Sequence, residues 1–437
     1  MRDAGRLAAA IEVLSDLESR HKPVRMALKN WGEASRFAGS KDRAFVSGLV
    51  LDALRRRRSL GWMMGDDNPR AVVLGVLRHV WAWPTERIAE AAGEEPHGPG
   101  ALSEAETAAL ATPRALEDAP APIRGDYPDW LEPAMSRVYG EARADEAEAL
   151  ARRAPVDLRV NTLKSDTSRT LKALASVGAE PAGLMADALR IAAPEASERA
   201  GSAESEPAFA KGWFEVQDLG SQIAAAAAGD IAGKQVLDLC AGGGGKTLAL
   251  AAAMGPTGQI YAYDSEARRL ADTVTRSQRA GVRNLQVRSP SDPKALAGLD
   301  GRMDVVFVDA PCTGSGTWRR HPDAKWRLSA DQLERRQGEQ DAVLGEAAVY
   351  VKVKGRLVYV TCSLFAEENE DRIAAFLAGH PHFAAAPTLE AIAASGRATP
   401  EGLDALSNFQ TPEGFLRLTP RAAGTDGFFV AVLERRS

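Results

Sequence analysis

The sequence predicts a multi-domain protein, with an all-α N-terminal domain followed by an α/β domain built on a mostly parallel sheet of seven strands. Early in the chain, apolar residues recur at three- and four-residue steps, which is the spacing of one buried helix face. This pattern is carried by Phe45, Val46, Leu49, Val50 and Leu54. From about Gln217, β-forming runs alternate with loops and amphipathic segments. Such alternation is typical of a parallel sheet with helices on both faces.

Two stretches without periodicity divide the chain. "EDAPAPIRGDYPDW", which ends at Trp130, predicts a domain boundary because proline and glycine accumulate in it. "APEASERAGSAESEPA", residues 193–208, is polar and predicts a loop. We therefore expect a helical domain over residues 1–125, a small α/β domain over 126–205 and a larger α/β domain over 206–437. "VDLRVNTLK" predicts a strand of the small domain.

Within the third domain, five segments predict strands: "QVLDLC", "QIYAYD", "NLQVRS", "DVVFVDA" and "RLVYVT". The helices between them are predicted from "GKTLALAAAM", "SEARRLADTVTRSQRAG", "SADQLERRQGEQDAVLGEAAVYV" and "EENEDRIAAFLAG". "DVVFVDA" is continuously apolar, as expected for a strand covered on both faces. Ligands of such sheets bind beyond the carboxyl ends of the strands.

Composition excludes several classes of protein. Hydrophobic residues make up 45% and charged residues 26% of the 437 residues, as in soluble globular proteins. No stretch reaches the ~20 apolar residues of a membrane span, and the first residues lack the apolar core of a signal peptide, so we expect a cytoplasmic protein. Three cysteines without a C-x-x-C pair and six scattered histidines predict neither disulfides nor a metal site.

The charge distribution points in two directions. A net charge of −5 argues against a nucleic-acid partner. Basic residues are nevertheless bunched in "RRRR", residues 55–58, and in "WRRHPDAKWR", residues 318–327. Each cluster fits a salt-bridged surface and a polyanion contact about equally well.

The segment "LDLCAGGGGKT", residues 237–247, predicts a ligand-binding loop between a strand and a helix, where glycines admit a ligand and the helix offers free N–H groups. A phosphate-binding P-loop would need glycine where Cys240 stands, and the dinucleotide pattern G-x-G-x-x-G also fails. The third alternative is an S-adenosylmethionine loop, which requires an acidic residue in the preceding strand. Asp238 meets that requirement. The cofactor would then contact Cys240, Ala241, Gly242, Gly243, Gly244, Gly245 and Lys246.

Two carboxylates complete this cofactor hypothesis. Asp264 ends the next strand, where it could accept hydrogen bonds from a ribose diol, and its alternative role is that of a helix N-cap. Asp292, or equally Ser291, would lie on the adenine side.

Cys312 and Cys362 each follow the end of a predicted strand, in "VFVDAPCTGSG" and "VYVTCSLF". Together with "CAGGGGKT", "RVNTLK", "FEVQDLGSQ", "RRHPDAKWR" and "GTDGFF", these motifs resemble the RsmB-type, Nop/Sun-related RNA (cytosine-5)-methyltransferases. "DRAFVSGLVLDALR" resembles the NusB-like RNA-binding domain of the bacterial 16S rRNA members. The usual "CAAPGGKT" of that family is "CAGGGGKT" in this chain, which loses a proline from the loop.

The resemblance implies a Rossmann-like catalytic domain with S-adenosylmethionine as cofactor. Cytosine carbon 5 is a weak nucleophile until a thiolate adds at carbon 6, and a cysteine thiol is well suited to that addition. Spacing does not decide which cysteine attacks; the resemblance implies Cys362, with Cys312 assisting release. A helix start after Cys362 would lower its pKa, whereas the acidic residues that follow would raise it.

Asp309, at a strand end, would accept from the cytosine amino group and border the cofactor, and Lys246 would steady Asp309 or the base. A paired base must leave its stack to reach such a pocket. The remaining basic side chains predicted to contact the RNA backbone are Arg319, Arg320, Lys325 and Arg327. The resemblance thus predicts a methyltransferase of 16S rRNA, and we expect the protein to be a monomer. The alternatives are a methyltransferase of tRNA or another rRNA, and a non-catalytic RNA-binding assembly factor.

Overall fold

The computed structural model describes residues 1–20, 22–194 and 202–437. These residues form two compact units. The first contains Met1–Arg153 and Thr317–Leu328, together with Pro194, and the second contains Ala154–Ala193, 202–316 and Ser329–Ser437. No helix among the described residues has the length and apolar character required to cross a membrane. The predicted loop at residues 193–208 lies partly outside the described residues, and the predicted domain boundaries near residues 125 and 205 stay predictions.

The first unit is helical, as the apolar periodicity predicted. Its helices before residue 153 are α1 (Asp3–Arg20), α2 (Val24–Ala34), α3 (Ser40–Arg55), α4 (Arg57–Met64), α5 (Pro69–Gly75), α6 (Thr85–Gly93), α7 (Glu104–Ala111), α8 (Ala121–Arg124), α9 (Glu132–Tyr139) and α10 (Arg143–Leu150), with a π-helical turn at Val76–Val80. Asn68 shows why α5 begins where it does, because its side chain accepts a hydrogen bond from the Ala71 N–H and Pro69 occupies the first turn. One face of α3, with Val46, Leu49 and Val50, is fully buried in the helical core.

The arginine run at residues 55–58 is engaged within this unit. Each of its members forms an ion pair, with Asp52, Glu148, Glu18 and Asp129 in chain order. The run is therefore part of the helical framework, which favours the salt-bridged alternative for this cluster.

The basic segment at residues 317–328 belongs to the same unit. Lys325 is 2% exposed, and its Nζ donates to the carbonyl oxygen of Arg55 at 2.7 Å. Arg319 is 4% exposed, and its carbonyl oxygen accepts from Arg55 Nη2 at 3.0 Å. The prediction that Arg319 and Lys325 contact an RNA backbone is therefore wrong, because both side chains are packed inside the helical unit. Arg327, which is exposed, keeps that prediction, as does the partly exposed Arg320.

The second unit begins with a small antiparallel sheet. Its strands are β1 (Val156–Val160), β2 (Ala179–Pro181), β3 (Ala188–Ile191) and β4 (Phe214–Val216), in the order β2-β3-β1-β4. Helix α11 (Thr167–Ala173) lies in sequence between β1 and β2, and α12 (Pro207–Ala210) precedes β4. Asp166 caps α11 by accepting from the Arg169 N–H at 2.8 Å.

The large sheet contains β5 (Gln235–Asp238), β6 (Gln259–Tyr263), β7 (Leu285–Arg288), β8 (Met303–Asp309), β9 (Val351–Thr361), β10 (Phe383–Ala386), β11 (Leu416–Leu418) and β12 (Phe428–Arg435). Seven strands follow the order β10-β12-β9-β8-β5-β6-β7, and the short β11 pairs with β12. Strands β5 to β9 pair in parallel, whereas β12 is antiparallel to β9, β10 and β11. The mostly parallel α/β fold is confirmed.

Helices cover both faces of this sheet. They are α13 (Leu219–Ala226), α14 (Gly245–Met254), α15 (Ala267–Ala280), α17 (Ala330–Tyr350), α18 (Glu370–Gly379), α19 (Thr388–Ala394), α20 (Pro400–Ser407) and α21 (Pro420–Ala423), whereas α16 (Ala324–Arg327) belongs to the first unit. Neighbouring residues of one strand enter different cores: Phe307 packs with α13 and α14, and Val306 and Val308 pack with α17. Chain order reverses between β5 and β8, so their carboxyl ends flank a crevice suited to a ligand.

Candidate active site

The glycine loop joins the buried end of β5 to the first turn of α14. Gly242 and Gly244 adopt φ angles of 52° and 82°, which L-residues rarely accept. Asp264 holds this loop, since its Oδ2 accepts from the Gly242 N–H at 2.9 Å and its Oδ1 accepts from the Glu266 N–H at 2.8 Å. Asp264 is thus an acceptor for two backbone groups at the carboxyl end of β6. Its predicted role toward a ribose stays a prediction.

The loop is also held from outside by α15. Thr273 Oγ1 donates to the Gly242 carbonyl at 3.0 Å, and Arg276 Nη1 donates to the Gly243 carbonyl at 2.5 Å. Arg276 is in turn paired with Glu215 of β4, with Nη2 2.9 Å from Oε2. A line of contacts therefore runs from the small sheet to the glycine loop.

Asp238 supports the same loop from inside. It is fully buried, and its Oδ2 accepts from Thr247 Oγ1 at 2.7 Å, whereas Oδ1 has no hydrogen-bond partner among the residues that the structure describes. Burial raises the pKa of Asp238 to about 7, and the hydrogen bond from Thr247 opposes this shift in part. Cys240 lies two residues after Asp238 in the chain. Burial, together with the Asp238 carboxylate, raises the pKa of the Cys240 thiol. A neutral thiol is a poor nucleophile, so the contribution expected from Cys240 is its backbone.

The two strand-end cysteines lie side by side. The Sγ atoms of Cys312 and Cys362 are 3.4 Å apart, which is hydrogen-bonding distance for sulfur. The hydrogen bond to Cys362, burial, and the negative charges of Glu368 and Asp309 raise the pKa of the Cys312 thiol well above its ordinary value. The pair therefore contains one thiol that holds its proton firmly.

An ion pair borders the thiols. Lys246 Nζ lies 2.7 Å from Asp309 Oδ2, and the lysine side chain is 11% exposed against 34% for the aspartate. Burial alone would lower the pKa of Lys246, but the charge of Asp309 and the hydrogen bond to it raise the pKa. Lys246 is consequently charged and fixes one oxygen of Asp309, which leaves the other oxygen available to a ligand.

A buried carboxylate connects the two cysteine loops. Glu368 Oε1 accepts from the Thr313 N–H at 2.8 Å and from Gln340 Nε2 at 3.0 Å. Its Oε2 accepts from Thr313 Oγ1 at 2.5 Å and from Ser363 Oγ. The residues that directly follow Cys312 and Cys362 thus both bind Glu368. This residue was missed as a structural element in the sequence, where it appeared only as one of several acidic neighbours of Cys362.

Two glycines complete the framework around the thiols. The Gly316 N–H donates to the Cys362 carbonyl at 2.9 Å, and the Gly316 carbonyl accepts from the Gly427 N–H at 2.8 Å. A Cβ atom at Gly316 would lie 2.3 Å from the Gly427 carbonyl oxygen. Any side chain at this position would therefore push the loops apart.

A cavity of about 580 Å³ opens over these groups. Six predicted residues line it: Cys240, Gly242, Asp264, Asp309, Cys312 and Cys362. The loop residues Ala241, Gly243, Gly244, Gly245 and Lys246 are not among the lining residues. Asp292 and Ser291 do not line the cavity either, and Asp292 Oδ1 instead accepts from the Lys294 N–H within its own turn. The adenine-side role of Asp292 stays a prediction that the cavity does not support.

The opposite wall comes from α17 and was not predicted. Arg336, Glu339, Val343 and Glu346 line the cavity at three- and four-residue steps. The signal was present in the sequence as a mixed stripe on one helix face. Its partners come from other parts of the chain, so the stripe alone could not be distinguished from a solvated face. Among the residues described, no cluster of three or more His, Cys, Asp or Glu side chains could hold a metal ion.

The cavity fits the predicted cofactor and base in its donors and acceptors. Asp264 and the glycine loop offer a carboxylate and backbone groups, as a ribose and an amino acid moiety require. The thiols and Asp309 lie at the carboxyl ends of β8 and β9. Two thiols and a carboxylate acceptor are thus grouped in one crevice, an arrangement that is suited to covalent catalysis on an electron-poor ring.

Comparison with known proteins shows which family the chain resembles. Residues 230–434 match the family model of the 16S rRNA methyltransferase RsmB/F, and residues 127–197 match that of the ferredoxin-like domain of RsmF/B-like methyltransferases. The probable ribosomal RNA small subunit methyltransferase B of Synechocystis sp. is 28% identical over 424 residues, covering 90% of this chain and 91% of the relative.

Two further similarities extend this result. The ribosomal RNA small subunit methyltransferase B of Yersinia pseudotuberculosis is 35% identical over 261 residues, and the match spans 58% of each chain. The crystal structure of PH0851 matches with a TM-score of 0.70 over 99% of both chains at 24% identity, which shows a shared fold.

Proposed function

Because the chain belongs to the RsmB/F methyltransferase family, and is thus an S-adenosylmethionine-dependent RNA methyltransferase, we propose that it methylates carbon 5 of a cytosine in 16S rRNA. The observation that carries this proposal is the pair of thiols 3.4 Å apart beside the Asp309–Lys246 ion pair. The names of the relatives support small-subunit rRNA as the substrate.

The chain's own residues supply the steps around the base. Asp309 accepts from the cytosine amino group and so orients the ring, while Lys246 holds the other oxygen of that carboxylate. Cys362, as thiolate, forms a bond to carbon 6, and the electron pair of the 5,6 double bond makes carbon 5 nucleophilic. Bound S-adenosylmethionine supplies the electrophilic methyl group, and the glycine loop with Asp264 would hold it.

Release reverses the addition. A base takes the proton from carbon 5, the carbon 5–carbon 6 double bond re-forms, and the bond between carbon 6 and the sulfur of Cys362 breaks. Cys312, whose pKa is raised, carries a proton beside the departing sulfur and assists this step. The assignment of Cys362 as nucleophile and Cys312 as the assisting group follows the family resemblance, and the 3.4 Å distance between the two Sγ atoms allows a proton to pass between them.

Adduct trapping tests the two roles. We expect Cys362→Ala to abolish methyl transfer and to form no covalent complex. We expect Cys312→Ala to accumulate a protein–RNA adduct that survives denaturing electrophoresis, because addition proceeds and release does not. The double variant Cys312→Ala/Cys362→Ala is the matched control and should form no adduct. Trapping by Cys362→Ala instead would reverse the assignment.

Two other measurements separate the alternative functions. Bisulfite sequencing of RNA from a deletion strain identifies the modified RNA and distinguishes 16S rRNA from tRNA. Transfer of labelled methyl groups to RNA distinguishes an enzyme from a non-catalytic assembly factor. The monomeric state stays a prediction.

A further inference from the structure

Three segments of the second unit converge beside the small sheet. Asn161, directly after β1, donates from Nδ2 to the Gly212 carbonyl at 2.8 Å and to the Ala280 carbonyl at 2.9 Å. Lys164 Nζ donates to the Arg279 carbonyl at 2.8 Å. The loop after β1, the segment before β4 and the end of α15 are thereby fixed to one another.

This junction carries a basic and aromatic surface, which we call the Trp213 cluster: Lys164, Arg169, Lys211 and Trp213. The Arg169 guanidinium lies 4.0 Å and the Lys211 ammonium 5.0 Å from the centre of the Trp213 ring. All three cations are exposed, and Trp213 is partly exposed. Contact with the ring holds two of the charges in place.

The three cations have no carboxylate partner among the described residues. The acidic side chains nearby are engaged elsewhere. Asp166 caps α11, Glu206 accepts from Ser176 Oγ at 3.2 Å, and Glu215 pairs with Arg276 and Arg279. Two of these positive charges lie over one ring, and the third, Lys164, donates to the neighbouring Arg279 carbonyl. The three charges repel one another, and a bound anion would reduce this repulsion. The arginine run of the first unit, in contrast, is fully paired.

We propose that the Trp213 cluster binds the phosphate backbone of the substrate RNA outside the cavity. This inference rests on the proposed function for the identity of the RNA. Arg269 and Arg279 lie on the same helix α15, and Arg269 lines the cavity. Ten residues of helix separate the two by about 15 Å. An RNA strand whose target base enters the cavity would thus reach the cluster within a few nucleotides, and several phosphates can be contacted at once.

Salt-dependent RNA binding by the full chain tests the cluster. In the variant Lys164→Glu/Arg169→Glu/Lys211→Glu, three phosphate contacts are lost, so the slope of log affinity against log salt should become shallower by about 2. At 0.15 M salt this corresponds to a loss of affinity on the order of 50-fold. The affinity for S-adenosylmethionine, measured by calorimetry, should stay unchanged.

A variant with the same change of net charge provides the control. Lys234, Arg302 and Arg436 are exposed and lie away from the carboxyl ends of the parallel strands, since Lys234 and Arg302 precede β5 and β8 and Arg436 follows the antiparallel β12. Their combined change to Glu should alter RNA affinity by less than about threefold, because only long-range screened charge is affected. Equal losses in the two triple variants, or none in the cluster variant, would overturn the inference.

Methyl transfer in the same samples separates this inference from the proposed function. For the cluster variant we expect a raised KM for RNA with kcat retained. The wild-type protein could bind RNA in a salt-dependent manner that requires the cluster and yet transfer no methyl group. That result would support the Trp213 cluster as an RNA-binding surface and would reject the proposed reaction.

Discussion

Removal of the Arg276 side chain should loosen the glycine loop and weaken cofactor binding. In Arg276→Met the aliphatic length is kept, but the 2.5 Å hydrogen bond to the Gly243 carbonyl and the pairing with Glu215 are lost. A hydrogen bond from a charged group contributes about 1.5–3 kcal/mol. The Arg276 side chain is 25% exposed, so the lower end of this energy range applies. A free-energy difference of about 1.4 kcal/mol corresponds to a tenfold change in a dissociation constant. We therefore expect the Kd for S-adenosylmethionine to rise about tenfold, measured by isothermal titration calorimetry.

A second substitution should restore part of this loss. Gly243 does not adopt a positive φ, and its N–H donates to no backbone carbonyl among the described residues. Proline at this position should therefore restrict the free loop by about 0.4–1 kcal/mol. In Arg276→Met/Gly243→Pro we expect about two- to fivefold of the lost affinity to return.

Arg279→Met is the matched control for this pair of variants. Arg279 also pairs with Glu215, at 2.5 Å, but makes no contact with the loop that the structure records. Its removal should leave the Kd within about twofold. A wild-type Kd for Arg276→Met, or an equal loss for Arg279→Met, would refute the role assigned to the contact with Gly243.

Three further predictions concern buried charge. Glu368→Gln removes the charge that four hydrogen bonds share, so we expect a loss of about 2–4 kcal/mol in denaturant unfolding and a fall in kcat; exposed Glu413→Gln, as control, should change neither. Folded Asp238 keeps its proton up to pH about 7 against an ordinary value of 3.8, so it contributes stability below pH 4 that is lost as pH rises to 7. This contribution is at most about 4 kcal/mol. The free energy of unfolding of Asp238→Asn, measured between pH 4 and pH 7, should not show this loss. Lys325→Met should leave the salt slope of RNA binding unchanged, because the lysine is only 2% exposed and its ammonium cannot reach a phosphate; a shallower slope would restore Lys325 as a phosphate contact.

The parts of the site that were predictable from the sequence are those encoded locally. An apolar run followed by a glycine or a cysteine marks the end of a buried strand, and the ends of parallel strands meet at one edge of the sheet. By this rule Cys312 and Cys362, which each follow a predicted strand, belong at the same edge of the sheet. The same local logic predicted the glycine loop and the helix that follows it.

The parts that were missed depend on contacts between distant segments. Glu215 and Arg276 are 61 residues apart in the chain, and no local pattern distinguishes them from other surface charges. Lys325 was misassigned for a related reason. A basic motif indicates phosphate binding only while its side chains are exposed, and burial in the helical unit is a tertiary property. The residues of α17 that line the cavity form a mixed stripe in the sequence. The strand ends that face this stripe across the cavity could not be identified from the sequence of α17.

The close approach of Gly316 to Gly427 has a practical consequence for enzymologists. The two cysteine loops are joined by the main-chain hydrogen bond from Gly316 to Cys362 and by the side chain of Glu368, and not by the sulfur atoms alone. We therefore expect that either thiol can be exchanged for serine, alanine or selenocysteine with little disturbance of its surroundings. Loss of turnover in such variants would then report on the reactivity of the substituted side chain. The two loops are therefore a suitable scaffold for testing other nucleophiles.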